Sequence, residues 1–224
     1  MLEFDIDPGI NLLPNLGVTI QDVPAFVFAQ LKKDCLEGIK NIDENIENTT
    51  GDILQMFHQD VPKDFFFQQP TNSKEGLERE IIKICKDMIQ VYPEYMDKLN
   101  HYSEESDNWE LCVERFWINY QRPGEFIPLH RHSGIFSFTI WVNLPEQIDE
   151  NIDVEKWNLG KGYQGQFEFA YSDMLGQIKT LRLASNKSFE GKVCVFPSEL
   201  QHQVYPHYQD EYRITVSGNI RVKK

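Results

Sequence analysis

Three histidines in the carboxyl-terminal half of the chain have the residue type and spacing of a metal site. His130 and His132 are separated by one residue, and His202 follows much later in the sequence. Residues i and i+2 of a strand project to the same side, so the first two imidazoles can share one ion. Imidazole nitrogen binds divalent iron, copper, nickel or zinc, and a catalytic metal needs open positions for its reactants. The spacing predicts a metal centre with three protein ligands.

Arg213 and Thr215 predict an anion site beside that metal centre. The planar fork of a guanidinium matches the two oxygens of a carboxylate. Thr215 lies two residues further along the same strand face, and its hydroxyl can donate to the same carboxylate. In the alternative, the histidines are ordinary turn residues and Arg213 pairs with one of the many surface acids. The joint order and spacing favour a site, whereas His207 is predicted to be a solvated turn residue.

The elements that must position these residues fall into two halves. Apolar residues recur every three or four positions after Pro24 as far as Ile46, and again from Leu77 to Tyr92, which predicts two amphipathic helices. From Leu111 onward, short runs rich in β-branched and aromatic residues predict strands. We expect strands at 111–121, 126–131, 135–144, 165–172, 178–184, 191–196, 202–206 and 211–222. Eight short strands predict a sandwich or barrel.

Three further segments are predicted from composition. Residues 1–21 predict an extended lead-in that adds a strand to a sheet, and residues 48–72 predict a loop. Residues 145–165 form the longest connection of the β-rich half, which is typical of a lid or a binding loop. The whole chain, 1–224, is expected to be one domain, with residues 1–110 as a mostly helical support and residues 111–224 as the β core.

Two of the predicted strands have one polar and one apolar face. In the last strand the polar face consists of Arg213, Thr215, Ser217 and Asn219, and an earlier strand alternates in the same way, with Ser137, Thr139, Trp141 and Asn143. Because side chains alternate along a strand, we expect the polar faces to line a cavity and the apolar faces to pack under the helices.

Composition excludes several classes of function. The formal net charge is −13, which opposes binding to nucleic acid, because phosphate contacts supply most non-specific affinity. No apolar run approaches the roughly 20 residues that cross a bilayer, and no secretory signal opens the chain. We therefore expect a soluble, cytoplasmic protein without nucleic-acid or membrane partners. Cys35, Cys85, Cys112 and Cys194 are far apart in apolar segments, which predicts reduced core thiols.

The β-rich half resembles the 2-oxoglutarate and Fe(II)-dependent oxygenase superfamily, close to the prolyl-hydroxylase-like branch that is frequent in tailed-phage genomes. The matching segments are NYQRPGEFIPLHRHSG, from Asn119, and VFPSELQHQVYPHYQDEYRITVSGNI, from Val195. The resemblance implies a double-stranded β-helix (jelly-roll) core supported by amino-terminal helices. It also implies iron held by the first and last histidines and 2-oxoglutarate held by Arg213 and Thr215, with Tyr120 as a further co-substrate contact.

One residue departs from the family pattern, in which an acid stands two positions after the first histidine. Here that residue is His132, so the third ligand is either this imidazole or a water or remote acid such as Glu125. A neutral imidazole in place of a carboxylate leaves the site one unit more positive, which strengthens binding of anionic 2-oxoglutarate. We expect His132 to bind the metal.

The resemblance implies oxidation of a substrate carbon coupled to conversion of 2-oxoglutarate to succinate and carbon dioxide. The reactants would be 2-oxoglutarate and dioxygen, with ascorbate as a candidate reductant and a protein or peptide side chain as a candidate substrate. Two other interpretations stay open: a non-catalytic jelly-roll binding or virion-associated module, and a three-histidine dioxygenase of the cupin type that needs no 2-oxoglutarate. If the gene is phage-encoded, the expected location is the host cytoplasm.

Overall fold

The structure, a computed structural model, describes most of the chain. The described residues are 17–46, 57–61, 72–92, 94–102, 109–146, 163–173, 175–183 and 186–223. Residues 1–16 of the predicted lead-in, and all but the ends of the predicted 145–165 connection, lie outside this part of the chain.

Among the residues that the structure describes, three helices precede most of the strands. They are α1 (Ala25–Ile46), α2 (Asn72–Val91) and α3 (Glu94–Tyr102). Helix α1 begins directly after Pro24, whose fixed φ and missing N–H suit the first turn of a helix. The first two helices confirm the predicted amphipathic segments, and α3 is a helix that the pattern did not indicate. No described helix is long and apolar enough to span a membrane.

Within the described ranges, ten strands form two antiparallel sheets. The larger has the order β1 (Thr19–Asp22), β8 (Lys192–Pro197), β5 (Phe136–Asn143), β10 (Arg213–Val222), β3 (Leu111–Gln121) and β2 (Phe57–Val61). The smaller has the order β4 (Ile127–His130), β9 (Gln201–Val204), β6 (Phe167–Ser172) and β7 (Ile178–Leu183). This mainly β architecture with flanking helices confirms the predicted double-stranded β-helix.

All eight strands predicted from the β-rich half are present within a few residues of their expected ends. Strand β1 confirms that the lead-in adds a strand. The expectation of a loop throughout 48–72 is wrong, because β2 pairs with β3 from Phe57 opposite Tyr120 to Val61 opposite Phe116. Pairing with a long partner strand fixes a short polar segment that has little strand pattern of its own.

Two apolar clusters hold the layers together. The first lies between the helices and the larger sheet and contains Leu31, Ile81, Phe138, Ile214 and Val216. The second lies between the two sheets and is rich in aromatic residues, with Trp141, Phe167, Phe169 and Phe196. The two sheets therefore enclose an apolar end, and their remaining inner surface is free to be polar.

The four cysteines are free thiols, as predicted. Cys35, Cys85 and Cys194 are buried, and Cys112 is half-buried. Burial raises the pKa of the three buried thiols, so they stay protonated and serve as small apolar groups.

Candidate metal centre and anion site

His130 and His202 are brought together by direct pairing of two strands. They lie opposite each other in the β4–β9 ladder, and their ring centroids are 4.2 Å apart. Opposed residues of an antiparallel pair on the same face are the nearest side-chain neighbours that a sheet provides. The register of this strand pair thus makes two histidines that are distant in sequence direct neighbours.

His132 follows β4 and completes the group. Its backbone N–H donates to the Ser198 carbonyl at 2.8 Å, which ties this turn to the end of β8. Its ring centroid lies 4.9 Å from that of His130 and 5.1 Å from that of His202. One ligand atom from each of the three histidines lies within 4.8 Å of the others, so the three can hold a metal ion.

Hydrogen bonds orient two of the three imidazoles. Nδ1 of His130 lies 2.8 Å from the Pro128 carbonyl, and Nδ1 of His202 lies 2.8 Å from the Leu200 carbonyl. A carbonyl oxygen only accepts, so each Nδ1 carries its proton and each Nε2 keeps a lone pair. This arrangement, in which a backbone carbonyl fixes the tautomer, is common for metal-binding histidines.

The environment of His202 keeps its imidazole neutral. Its pKa is lowered from 6.5 to about 3, mainly by burial and also by the neighbouring His130 and His132, against the opposing effect of the Leu200 carbonyl. Phe167 stacks on the ring at a centroid distance of 5.3 Å and an interplanar angle of 11°. A histidine binds a metal through an unprotonated ring nitrogen, so the apolar surroundings that keep His202 neutral favour metal binding.

Arg213 is a fully buried cation that has no acid partner in the described part of the chain. It is 1% exposed, its Nε donates to the Gly165 carbonyl at 3.0 Å, and its Nη2 has no partner among the described residues. No carboxylate in the described part of the chain forms an ion pair with it, and burial lowers the pKa of its guanidinium to about 9. Because buried donors are almost always satisfied, the free Nη2 indicates an anionic ligand.

The larger sheet provides a polar floor for the same pocket. Asn119 Nδ2 donates to Thr215 Oγ1 at 3.1 Å and to Ser217 Oγ at 3.3 Å, and Ser217 Oγ donates to Thr139 Oγ1 at 3.2 Å. These four residues line one pocket together with Arg213 and the three histidines. Apolar side chains of the smaller sheet, Ile127, Phe167 and Val204, also line the pocket, together with Phe196 of β8.

The sequence-predicted residues thus converge, with one exception. The structure contradicts the expectation that Tyr120 contacts the co-substrate. Its ring lies in the apolar cluster under the helices, and its hydroxyl donates to the Cys35 carbonyl at 2.9 Å. Tyr120 pairs with Ile214, whereas Asn119 pairs with Thr215, so these two neighbours of β3 point to opposite faces of the sheet.

Asn119 is the pocket residue that sequence reasoning missed. The signal was the alternation of β3 itself, in which Ile118 and Tyr120 are apolar while Asn119 and Gln121 are polar. Applying the two-residue period to this strand, as to β5 and β10, places Asn119 on the polar face.

His207 differs from expectation, whereas Glu125, the alternative to His132 as the third ligand, lies away from the pocket. Glu125, the candidate remote acid, accepts hydrogen bonds from the Arg122 backbone N–H at 2.7 Å and from its Nε at 2.8 Å, and it does not line the pocket. His207, predicted to be a solvated turn residue, is 2% exposed. Its burial is caused by contacts with the end of β3, which are remote in sequence.

A family model described as a 2OG-Fe(II) oxygenase matches residues 115–219, which include all three histidines, Arg213 and Thr215. This match covers the stretch that carries the site and identifies an enzyme of the 2-oxoglutarate and Fe(II)-dependent dioxygenase type, whose metal is Fe(II) and whose co-substrate is 2-oxoglutarate. The residues present fit both groups, because three imidazoles can bind the metal and Arg213 Nη2, which has no partner among the described residues, can bind a carboxylate.

Solved structures share the fold of this oxygenase at low sequence identity. A prolyl-4-hydroxylase from Pseudomonas putida is 16% identical, with 93% of this chain and 95% of that chain covered and a TM-score of 0.54. The carbocyclase SnoK from nogalamycin biosynthesis is 10% identical, with 93% and 80% covered and a TM-score of 0.56. An oxidoreductase of the 2OG-Fe(II) oxygenase family from Burkholderia pseudomallei is 15% identical, with 92% and 84% covered and a TM-score of 0.51. No curated protein matches the sequence.

Proposed function

We propose that this oxygenase hydroxylates an aliphatic carbon of its substrate, with a peptidyl side chain of the prolyl type as the first candidate. The observation that carries the proposal is the buried guanidinium of Arg213. It has no acid partner among the described residues, and it lines the same pocket as three clustered histidines. A pocket with this charge and donor set suits a dicarboxylate beside a metal ion.

His130, His132 and His202 hold the iron in this proposal. Two of them have Nδ1 fixed by backbone carbonyls, so their Nε2 atoms are available. His132 is the third ligand rather than Glu125, because Glu125 is held by Arg122 away from the pocket. When bound, Fe(II) with 2-oxoglutarate and dioxygen supplies the oxidising chemistry, and the protein supplies binding, orientation and exclusion of water.

Arg213 and Thr215 hold the distal carboxylate of the co-substrate. The Thr215 hydroxyl accepts from Asn119, so its own proton is free to be donated to an anion. Three neutral imidazoles add no negative charge to the site, and none of the described pocket-lining residues is acidic. The resulting excess of positive charge favours binding of 2-oxoglutarate.

The substrate class is supported by fold similarity and by the shape of the pocket. The prolyl-4-hydroxylase from Pseudomonas putida has the same fold over nearly its whole length. Aromatic and aliphatic side chains line part of the pocket, which suits a compact apolar side chain such as a prolyl ring. A proline-containing peptide is therefore the first substrate to be tested.

Succinate formation tests the proposal. The purified enzyme is incubated with Fe(II), 2-oxoglutarate, dioxygen and ascorbate, with and without a set of proline-containing peptides. We expect succinate formation to require Fe(II) and to increase when a peptide substrate is present. We also expect mass spectrometry to detect the hydroxylated peptide. Arg213→Ala should remove both signals, whereas Tyr120→Phe, on the other face of the sheet, should retain them. Succinate without any hydroxylated peptide would contradict the peptidyl substrate, and absence of succinate would contradict the hydroxylase itself.

A second candidate function is favoured by the three-histidine donor set alone. This is a dioxygenase that uses the same metal site without 2-oxoglutarate. Arg213 opposes it, because this activity gives no role to a buried cation without an acid. Oxygen consumption with Fe(II) in the absence of 2-oxoglutarate would favour this second function.

The single-domain organisation over 1–224 is part of the proposal. It is supported by one apolar cluster that contains Leu31 and Ile81 of the helices together with Val216 of β10. The cytoplasmic location and the phage origin stay predictions.

A further inference from the structure

We propose that His207 is a positioning residue for Arg213, which it holds in place through Gly165 so that the guanidinium can receive the co-substrate. This inference rests on the proposed function, since it assigns His207 to the site that binds 2-oxoglutarate.

His207 is anchored to the end of β3 on two sides. Its Nε2 lies 3.0 Å from the Gln121 carbonyl, to which it donates, and its own carbonyl accepts from the Gly124 N–H at 2.7 Å. Gln121 is the residue directly opposite Arg213 in the β3–β10 ladder. The imidazole therefore connects the segment after β9 to the strand position that faces Arg213.

Gly165 connects this segment to the guanidinium. The Gly165 N–H donates to the Pro206 carbonyl at 2.9 Å, and the Gly165 carbonyl accepts from Arg213 Nε at 3.0 Å. A Cβ atom at position 165 would lie 3.6 Å from His207 Cβ and 3.8 Å from Arg213 Cδ. His207 and Arg213 thus both lie next to the position that a Cβ would take at this glycine, whose φ of +63° disfavours any other residue.

The charge state of His207 suits this role. Burial lowers its pKa, and the positive charge of Arg213 acts in the same direction, so the imidazole is neutral. A neutral neighbour holds the guanidinium segment without neutralising it, whereas an acid at this position would form an internal ion pair with Arg213. Nη2 of Arg213 has no partner among the described residues, so it remains available to the co-substrate.

The test compares two substitutions that differ in one hydrogen bond. Glutamine can place an amide N–H where His207 has Nε2, whereas phenylalanine fills the space without a donor. We expect His207→Phe to weaken 2-oxoglutarate binding by about tenfold or more, because a misplaced binding group loses much of its interaction. His207→Gln should stay close to wild type, and both variants should bind Mn(II) as the wild type does. The measurement is calorimetric titration of 2-oxoglutarate into Mn(II)-loaded protein.

Tyr205→Phe is the matched control, since it removes hydrogen bonds from the same segment on its outer side. The Tyr205 hydroxyl donates to Glu168 Oε1 at 2.9 Å and accepts from Gln203, away from Arg213. We expect this variant to lose stability while keeping its affinity for 2-oxoglutarate. A loss of affinity equal to that of His207→Phe would show that any disturbance of the segment acts alike, and it would overturn the positioning role.

A second measurement covers the case in which His207→Phe does not fold. His207→Asn keeps a polar side chain that is too short to reach the Gln121 carbonyl, and it should weaken 2-oxoglutarate in the same way. Its Arg213 Nε proton should exchange with solvent faster than in the wild type, by nuclear magnetic resonance, because the Gly165 carbonyl is less well held. Unchanged exchange and unchanged affinity in this variant would overturn the proposal.

The two proposals fail in distinguishable ways. If wild-type protein does not bind 2-oxoglutarate, the proposed function is wrong. If wild-type protein binds it and all His207 variants bind equally well, only the positioning role is wrong.

Discussion

The two faces of the larger sheet are built from the same strands but differ in function: one packs against the helices and the other lines the pocket. On the helix side of β10, Ile214 and Val216 are completely buried in the apolar cluster. On the pocket side, Arg213, Thr215 and Ser217 are also buried, yet they face a polar cavity. Burial alone therefore does not distinguish the residues that stabilise the fold from the residues that line the pocket. The two groups are distinguished by their alternating positions along the strand, which place them on opposite faces of the sheet.

The strongest test of this difference is Arg213→Ala on the pocket face. Removing one partner of a buried charged contact weakens binding by several kcal/mol, so we expect 2-oxoglutarate to bind roughly 100-fold more weakly or worse. Metal affinity should be retained, because the histidines do not depend on the guanidinium. The 2-oxoglutarate affinity of Arg213→Lys, which keeps the charge and loses the planar fork, should lie between that of the wild type and that of Arg213→Ala. Calorimetry with the Mn(II)-loaded protein measures both affinities, and an equal loss of metal and co-substrate would indicate collapse of the site.

The neighbouring residue on the helix face should show the opposite behaviour. Ile214→Ala leaves a cavity in a closely packed cluster, so the free energy of unfolding should fall by about 2–5 kcal/mol. The affinity of the folded protein for 2-oxoglutarate should not change, because this side chain points away from the pocket. Urea unfolding measures the first quantity and calorimetry the second. A weaker co-substrate affinity with unchanged stability would break the distinction between the faces.

Acid should act on the pocket side through His202. Its folded pKa of about 3 lies below its unfolded value of 6.5, so the unfolded state takes up a proton first as pH falls. The stability that depends on the neutral imidazole is complete above pH 6.5 and is lost progressively toward pH 3, by about 3 kcal/mol between pH 7 and pH 4.5.

His202→Asn is the control for this pH dependence, since its amide can still donate to the Leu200 carbonyl and does not titrate. Urea unfolding of the metal-free proteins at several pH values should show a shallower dependence for the variant. Parallel curves for the variant and the wild type would mean that His202 is not the group responsible.

The smallest effect is expected at Tyr120, on the helix face. Tyr120→Phe removes the hydrogen bond to the Cys35 carbonyl and should lower the free energy of unfolding by about 1 kcal/mol. Succinate formation and 2-oxoglutarate affinity should equal those of the wild type. A loss of co-substrate affinity in this variant would indicate that Tyr120 contacts the co-substrate, and it would contradict the register of β3 described above.

Much of the fold was predictable from the chain, because local patterns carry it. Strands such as β5 and β10 alternate polar and apolar residues clearly, and the first two helices have a regular apolar stripe. Helix α3 and strand β2 were not predictable in this way. They are short and polar, and they depend on neighbours that are distant in sequence.

The candidate site was predictable where residue type and the alternation of side chains along a strand determine it. The three histidines, Arg213 and Thr215 were predicted from their chemistry and spacing, and they line one pocket. Tyr120 was expected at the co-substrate only from the resemblance, and the alternation of β3, which groups Tyr120 with the apolar Ile118, places it on the other face. His207 was misplaced because the Gln121 carbonyl that holds it lies far away in the sequence.

Anomalous diffraction from crystals of the iron-loaded protein with 2-oxoglutarate, grown without oxygen, tests the central claim most directly. We predict one iron position bonded at about 2 Å to one imidazole nitrogen of each of His130, His132 and His202, with a carboxylate of the co-substrate on Arg213. An iron bound by only two of these histidines, or a 2-oxoglutarate whose carboxylate does not contact Arg213, would contradict the account.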